Sequence, residues 1–477
     1  MGSSKIKNNF IYQIVYQIFV LAIPFVMSPY VSRILGAEGL GIYSYTYSIA
    51  YYYVLIMMLG VLNYGNRTIA KCRDNQDELN REFSGLLILH LLLGIICTIL
   101  YLGYIVCMAQ EKTYALIQGI YVISGVFDIT WFYYGIEKFK LIVERNIIIK
   151  IITVILVFLL VEQKSDLWIY CLIMACSIFL SQIMLWFPLS KYVKFIIPTR
   201  YMIFKHLKPM FVLFIPTIAI SIYKYMDRIM IGMLSTKIEL GYYENAENAI
   251  RILTSILSSL GTVMLPRMSN MVIKKEINEV QKYIKKSMYY LMIATFAMTF
   301  GMMGIADIFA PIFWGNEFIM SSRVIKILVF SVPFVSFANV IRTQFLLPNE
   351  RDKEYTRSVV IGAIVNLGLN IILIPRYGAS GAAIATVCAE MLVCVVQGIE
   401  VRKELPIKKY VIDIVPFIVI GLVEFVIVFF IKQIDIISSR IICLVVQVVS
   451  GIIVYCVPTF IMLYLRKDEY IVKFLKK

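Results

Sequence analysis

Histidine is nearly missing from this chain, with two in 477 residues, and none of the nine cysteines falls in a CxxC pattern. All of the cysteines except Cys72 sit inside apolar runs. That usage excludes the common zinc and disulfide frameworks and makes the cysteines small packing residues, so neither a metal nor a cofactor is expected. Charge is scarce too. Asp, Glu, Lys and Arg make up 16% of the residues, against about 25% in an ordinary soluble domain. No polar stretch is long enough to hold an inserted soluble domain. What is present is apolar: 60% of the residues are hydrophobic and the mean hydropathy is +0.81. A chain of this kind is satisfied only in lipid, where every backbone amide must bond internally and long helices are the default.

A span needs about 20 apolar residues. Runs of that order lie near 11–31, 42–63, 84–109, 114–134, 146–161, 167–188, 210–234, 246–265, 287–311, 324–347, 359–375, 381–401, 412–431 and 441–465. The first follows Lys5 and Lys7, contains Pro24 and Pro29 and lacks a small-residue cleavage site. It reads as a retained helix, not a signal peptide. Lys and Arg set the orientation. With the N-terminus inside, each inner connection carries more of them than its outer neighbours, as in Lys274, Lys275, Lys282, Lys285 and Lys286 against the lone Lys237 or Arg323. The net charge of +16 then faces the anionic inner leaflet, and no nucleic-acid partner is needed. Both termini are expected in the cytoplasm. The reading is an all-α polytopic membrane protein of about fourteen transmembrane helices.

A faint repeat divides the chain. Leu40-Gly41-Ile42-Tyr43 after the first span matches Leu240-Gly241-Tyr242-Tyr243 after the seventh, and Arg67 matches Arg267 at the same offset. Proline interrupts both the first span (Pro24, Pro29) and the seventh (Pro209, Pro216). Interrupted spans at matching places point to a substrate site at the repeat interface. The expected organisation is a six-helix lobe over 1–200, a second in parallel pseudo-repeat over 201–405, and two further helices with a tail over 406–477. The outer ends of the first and seventh spans, which open the two repeats, are expected to face each other. The basic, aromatic connection 189–209 joins the lobes and reads as an interfacial segment.

Charges inside spans are the candidate site residues, because each costs about 2.5–3.5 kcal/mol at the bilayer centre. The seventh span carries Lys224, Asp227 and Arg228 on one helix side. One acid does not neutralise two bases on that face, so a cavity that meets an anion explains the surplus. Arg33 closes the first span and Arg251 lies one turn on from Glu247 in the eighth; snorkelling of a span-end residue is the competing account of both. Asp128, Arg342 and Glu390 are embedded as well, and a buried carboxyl can carry a coupling proton. Tyr43 and Tyr45 suit an interfacial belt. The deeper Tyr47 and Tyr51, one turn apart, are candidates for sugar contacts through ring faces and hydroxyls.

Four stretches carry a family resemblance. Pro29 to Gly41 (PYVSRILGAEGLG), Asp128 to Phe139 (DITWFYYGIEKF) with Arg145-Asn146, Asp227 to Gly232 (DRIMIG) and Tyr377 to Ala383 (YGASGAA) resemble signatures of bacterial polysaccharide repeat-unit flippases. These are the Wzx (polysaccharide transporter) branch of the multidrug/oligosaccharidyl-lipid/polysaccharide exporter superfamily. The resemblance implies two six-helix lobes around a central cavity plus two C-terminal helices. It also implies transfer of oligosaccharides built on undecaprenyl diphosphate from the inner to the outer leaflet, for capsule, O-antigen, teichoic acid or a related polysaccharide. Membrane lipids and other polysaccharide assembly proteins are the further partners it implies. Arg33, Lys224, Arg228 and Arg251 then suit the head group, since Arg forks onto phosphate and Lys acts as a point charge. Two rivals stand beside this. A cation-coupled multidrug antiporter of the same superfamily would favour an acidic cavity, against the surplus of embedded cations. A membrane glycan polymerase or ligase would need a sizeable outer loop with paired carboxylates, and none is present.

Overall fold

The computed structural model describes the backbone of residues 2–433 and 439–466, and the side chains of these except 2–22, 216, 219–220 and 223–224. Described residues outside loops and turns are helical throughout. The elements are α1 (Gly2–Met58), α2 (Val61–Cys72), α3 (Gln76–Cys107), α4 (Lys112–Val126), α5 (Thr130–Gly135), α6 (Phe139–Leu160), α7 (Leu167–Ile183), α8 (Arg200–Phe204) and α9 (Leu207–Leu234). They continue as α10 (Lys237–Ile273), α11 (Ile277–Trp314), α12 (Ile319–Leu328), α13 (Ser331–Ile341), a π-helical turn (Arg342–Leu346), α14 (Asp352–Val401), α15 (Ile407–Ile431) and α16 (Arg440–Leu465).

Nine helical stretches among the described residues are long and apolar enough to cross a bilayer, ten with the bent pair Asn316–Leu328 and Ser331–Leu346. Two of the nine, Ile23–Cys72 and Asp352–Val401, run 50 residues each. At 1.5 Å per residue the 57 residues of α1 and the 50 of α14 measure about 85 and 75 Å, over twice the roughly 30 Å of the hydrocarbon core, so each is long enough for two crossings. The turns are single glycines: Gly36 at φ 70° in α1 and Gly378 at φ 53° in α14. Both have a left-handed φ that only glycine adopts without strain, and both open a Gly-Ala-X-Gly run, Gly36 to Gly39 and Gly378 to Gly381. Where the sequence reading placed loops, the backbone therefore bends and resumes its helix at once. The fourth expected span is broken instead. α4 stops at Val126 and the short α5 starts at Thr130, with Asp128 Oδ1 accepting from the Thr130 amide at 2.9 Å and its hydroxyl at 2.5 Å.

The chain forms two compact units, residues 1–241 and 242–477. In the first, α1 packs on α3, α4, α6 and α9, while α4 packs on α7 and α2 on α5. Its core includes Phe83, Trp131, Phe132 and Tyr133, all fully buried. His90 in α3 donates from Nε2 to the Gly125 carbonyl at 2.8 Å, the packing role expected of a lone buried histidine. In the second unit, α11 packs against α12, α13, α15 and α16, and α14 packs against α12 and α13. α15 and α16 pair with each other as well as with α11.

Candidate substrate site

α9 supplies two buried charged side chains of the first unit, in addition to Arg145 of α6. Asp227 and Arg228 are both about 95% covered by their neighbours, at 4% and 5% exposure. The Arg228 guanidinium lies over the Tyr225 ring, 5.3 Å from its centroid. Tyr225 in turn stacks on Tyr51 of α1, centroids 4.0 Å apart and planes tilted by 27°. Tyr52, next along α1, donates its hydroxyl to the Ser221 carbonyl at 3.1 Å, which fixes the register of α1 on α9. A turn before Tyr51, the half-buried Tyr47 stacks on Tyr121 of α4 at 5.1 Å and on Tyr43 at 5.8 Å. Tyr43 meets Tyr170 of α7 edge-on at 4.9 Å. The result is two tyrosine stacks one turn apart on α1, one of them reaching a buried guanidinium. Ring faces of this kind suit both a cation and the apolar faces of sugars.

The expected site residues separate by environment. Tyr47, Tyr51 and Arg228 come together with Tyr225 and Tyr121, which residue spacing did not single out. The one signal for Tyr225 was its place beside Lys224 in an otherwise apolar span. The Lys224 side chain lies outside the described residues. Arg33 is exposed beside the Gly36 bend. Asp128 is half-buried and accepts from the amide and hydroxyl of Thr130, the first residue of α5. In the second unit, Arg251 is exposed and donates to Asn248, whose amide nitrogen donates to Glu244 at 3.3 Å. Arg342 opens the π-helical turn, bonding Asn339 at 2.7 Å and the Tyr355 hydroxyl at 3.4 Å. Glu390 is half-buried in α14, one turn before Cys394.

Just past the C-terminal end of α9 the two matching segments 37–41 and 237–241 meet. A Cβ added to Gly41 would run into the Lys237 carbonyl, and one added to Gly241 into the Ala37 carbonyl. The two contacts exchange under the 200-residue offset of the sequence repeat, so each glycine admits the other repeat's backbone. Lys237 had read as a free outer-loop charge. Its ammonium lies 3.3 Å from the Tyr45 ring centroid and donates to the Gly232 carbonyl at 2.7 Å. Tyr45, read as interfacial, is 4% exposed because Lys237 covers it.

Comparison with known proteins adds the family. Residues 6–272 match the model of a family described as "Polysaccharide biosynthesis protein". The chain belongs to that family. A putative O-antigen transporter of Shigella dysenteriae is 27% identical over 385 residues, which cover 78% of this chain and 93% of that one. A putative O-antigen transporter of Escherichia coli (strain K12) is 25% identical over 403 residues, 82% of this chain and 96% of that one. Among solved structures, the lipid II flippase MurJ in an inward closed conformation matches with a TM-score of 0.70 at 17% identity, covering 93% of this chain and 99% of that one. This last likeness concerns the fold. The family member described here is a multi-pass membrane protein, a transporter and not an enzyme.

Proposed function

We propose that this protein is a flippase that carries oligosaccharide repeat units, linked to undecaprenyl diphosphate, from the inner to the outer leaflet of a bacterial cytoplasmic membrane. Both termini lie in the cytoplasm, and the cargo serves the synthesis of a surface polysaccharide. The observation that carries the proposal is the buried Arg228 seated on the Tyr225–Tyr51 stack. A guanidinium forks onto the oxygens of a diphosphate, and the tyrosine faces alongside accept sugar rings. Lys224 adds a second cation on the same helix, with Arg33 and Arg251 at span ends suited to first contact with the head group. The relatives named O-antigen transporters support the same cargo class over most of their length.

In this scheme the closed crossing of 37–41 with 237–241 shields the site from the outer side. It opens when the site turns outward, so access alternates between the leaflets. The test is export of the surface polysaccharide in cells that depend on this protein. Replacing Lys224 and Arg228 together by Ala is expected to lower export about a hundredfold, the scale of losing two buried anchors, with protein still in the membrane. Full export would refute the site. Loss of the protein itself would instead assign Arg228 to a structural pair with Asp227. Orientation is checked separately. Thr236→Cys in a cysteine-free background should react with an impermeant thiol reagent in intact cells, and Lys275→Cys only after lysis.

A further inference from the structure

An apolar groove of about 660 Å³ runs along the second unit between α11, α13, the end of α14 and α15. Its walls are Phe296 and Phe300 of α11, Phe334 and Phe337 of α13, and Val411 and Ile414 of α15. Nothing in the proposed flippase mechanism uses it. At one end, where α14 hands over to α15, the lining changes abruptly to Arg402 and Lys408, both exposed. No carboxylate lines the groove anywhere along its length.

Of the acids nearest in sequence to that mouth, Glu400 and Glu404 are paired and Asp413 lines a separate, lysine-rich pocket with Lys409. Arg351 binds Glu354 at 2.9 Å and Glu404 at 3.2 Å, and Arg357 pairs with Glu400. Those two arginines absorb the negative charge of this end, and no described side chain pairs with Arg402 or Lys408. The mouth is therefore cationic and the trough behind it is hydrocarbon-like. We propose that this groove is a binding site for an anionic membrane phospholipid, with the phosphodiester on Arg402 and Lys408 and the acyl chains along α11, α13 and α15.

The choice of occupant follows from the charges. A zwitterionic lipid brings an ammonium or choline group, which would need a free carboxylate at the mouth. A polyprenyl diphosphate bearing sugars brings many hydroxyls, which this lining does not serve. A phosphodiester with one net negative charge and two chains matches both ends of the groove. Basic pockets between helices on the side with the dense Lys and Arg are suited to such head groups. The proposal stands or falls apart from the flippase reading, because it concerns a different surface and is read by lipid binding alone.

The test is native mass spectrometry of the purified full chain titrated with phosphatidylglycerol, phosphatidylcholine and undecaprenyl diphosphate. Phosphatidylglycerol is expected to occupy one tight site. Replacing Arg402 and Lys408 together by Gln should weaken that site roughly thirtyfold, from the usual contribution of each basic residue near a lipid surface. Lys403→Gln, exposed in the same turn but outside the groove, should change it less than about twofold. Gly398 lines the trough, and an added Cβ there would sit 3.6 Å from Ile407, in ordinary contact. Gly398→Phe should therefore fold and displace the chains; Val395→Phe fills the same trough if Gly398→Phe does not accumulate. Equal binding of phosphatidylcholine would overturn the proposal. So would undecaprenyl diphosphate displacing phosphatidylglycerol, or a double Gln variant that binds as the unaltered chain does.

Discussion

The two ends of α9 are fastened to the first unit by different physics. Its 28 residues span about 40 Å. Past its C-terminal end, backbone meets backbone: Gly41 against Lys237 and Gly241 against Ala37. At its N-terminal end, side chains clasp. His206, fully buried, bonds the Tyr64 hydroxyl at 3.1 Å and lies 3.6 Å from Glu82, which also pairs with Lys205. A close-packed crossing has no rotamer that opens it, so it parts only when whole helices move. A clasp of titratable groups can be loosened locally. The crossing should therefore respond to shape and the clasp to charge.

Enlarging the crossing tests the first half of that contrast and carries the largest expected effect. Gly41→Val combined with Gly241→Val forces the helices apart, since overpacking of a tight contact costs about 1–3 kcal/mol per site. Ala37 is wholly buried in the closed crossing. A cysteine there should become labelled by an impermeant reagent at least about tenfold faster in the double variant, and export should stop. Gly103→Val is the control, because an added Cβ there meets nothing within 4 Å. If Ala37→Cys stays unreactive in the double variant, the crossing is not the outer closure.

Midway between the ends, the tyrosine stack predicts a smaller effect. Tyr51 contributes a ring face to Tyr225, not a required hydroxyl. Tyr51→Phe should export at close to the normal rate. Tyr51→Ala should lose about tenfold, the upper range for one aromatic contact. Equal loss in both variants would shift the role to the hydroxyl.

Much of this was legible in the sequence, and the limits have clear causes. Apolar run length marks spans because the bilayer fixes it, and embedded charge marks Arg228 because lipid makes it costly. The meeting of 37–41 with 237–241 followed from a repeat with matching glycines. Run length does not show whether a short break is a loop or a bend, and a single positive φ at Gly36 or Gly378 keeps the helix going through it. Nor does spacing along one helix reveal a partner on another. Tyr51 and Tyr225 are 174 positions apart, so their stack, like the seat of Lys237 on Tyr45, appears only in three dimensions. Asp128 looked like embedded charge until the break between α4 and α5 placed it at a helix start.

The clasp at the start of α9 acts on local opening and not on export, and its effect has a sign fixed by pH. Burial pushes the His206 imidazole down to about 4, with Glu82 opposing the shift and Lys205 adding to it. The imidazole is thus neutral at neutral pH, its Nδ1 accepting from the Tyr64 hydroxyl and its Nε2–H turned toward Glu82. An exposed histidine titrates near 6.5. With the folded value below the unfolded one, the open form binds more protons between about 4 and 6.5. The stability of the clasp is therefore complete above that window and falls as the pH drops through it. Between pH 7.5 and pH 5 the opening equilibrium should rise by up to about thirtyfold. Hydrogen exchange of the 200–210 amides reads it, once corrected for the intrinsic pH dependence of exchange. His206→Gln cannot take up the proton, so its opening should be flat across the same range, while labelling at the outer crossing stays constant in both proteins. A pH response at the crossing equal to that at the clasp would mean that the two ends of α9 open as one.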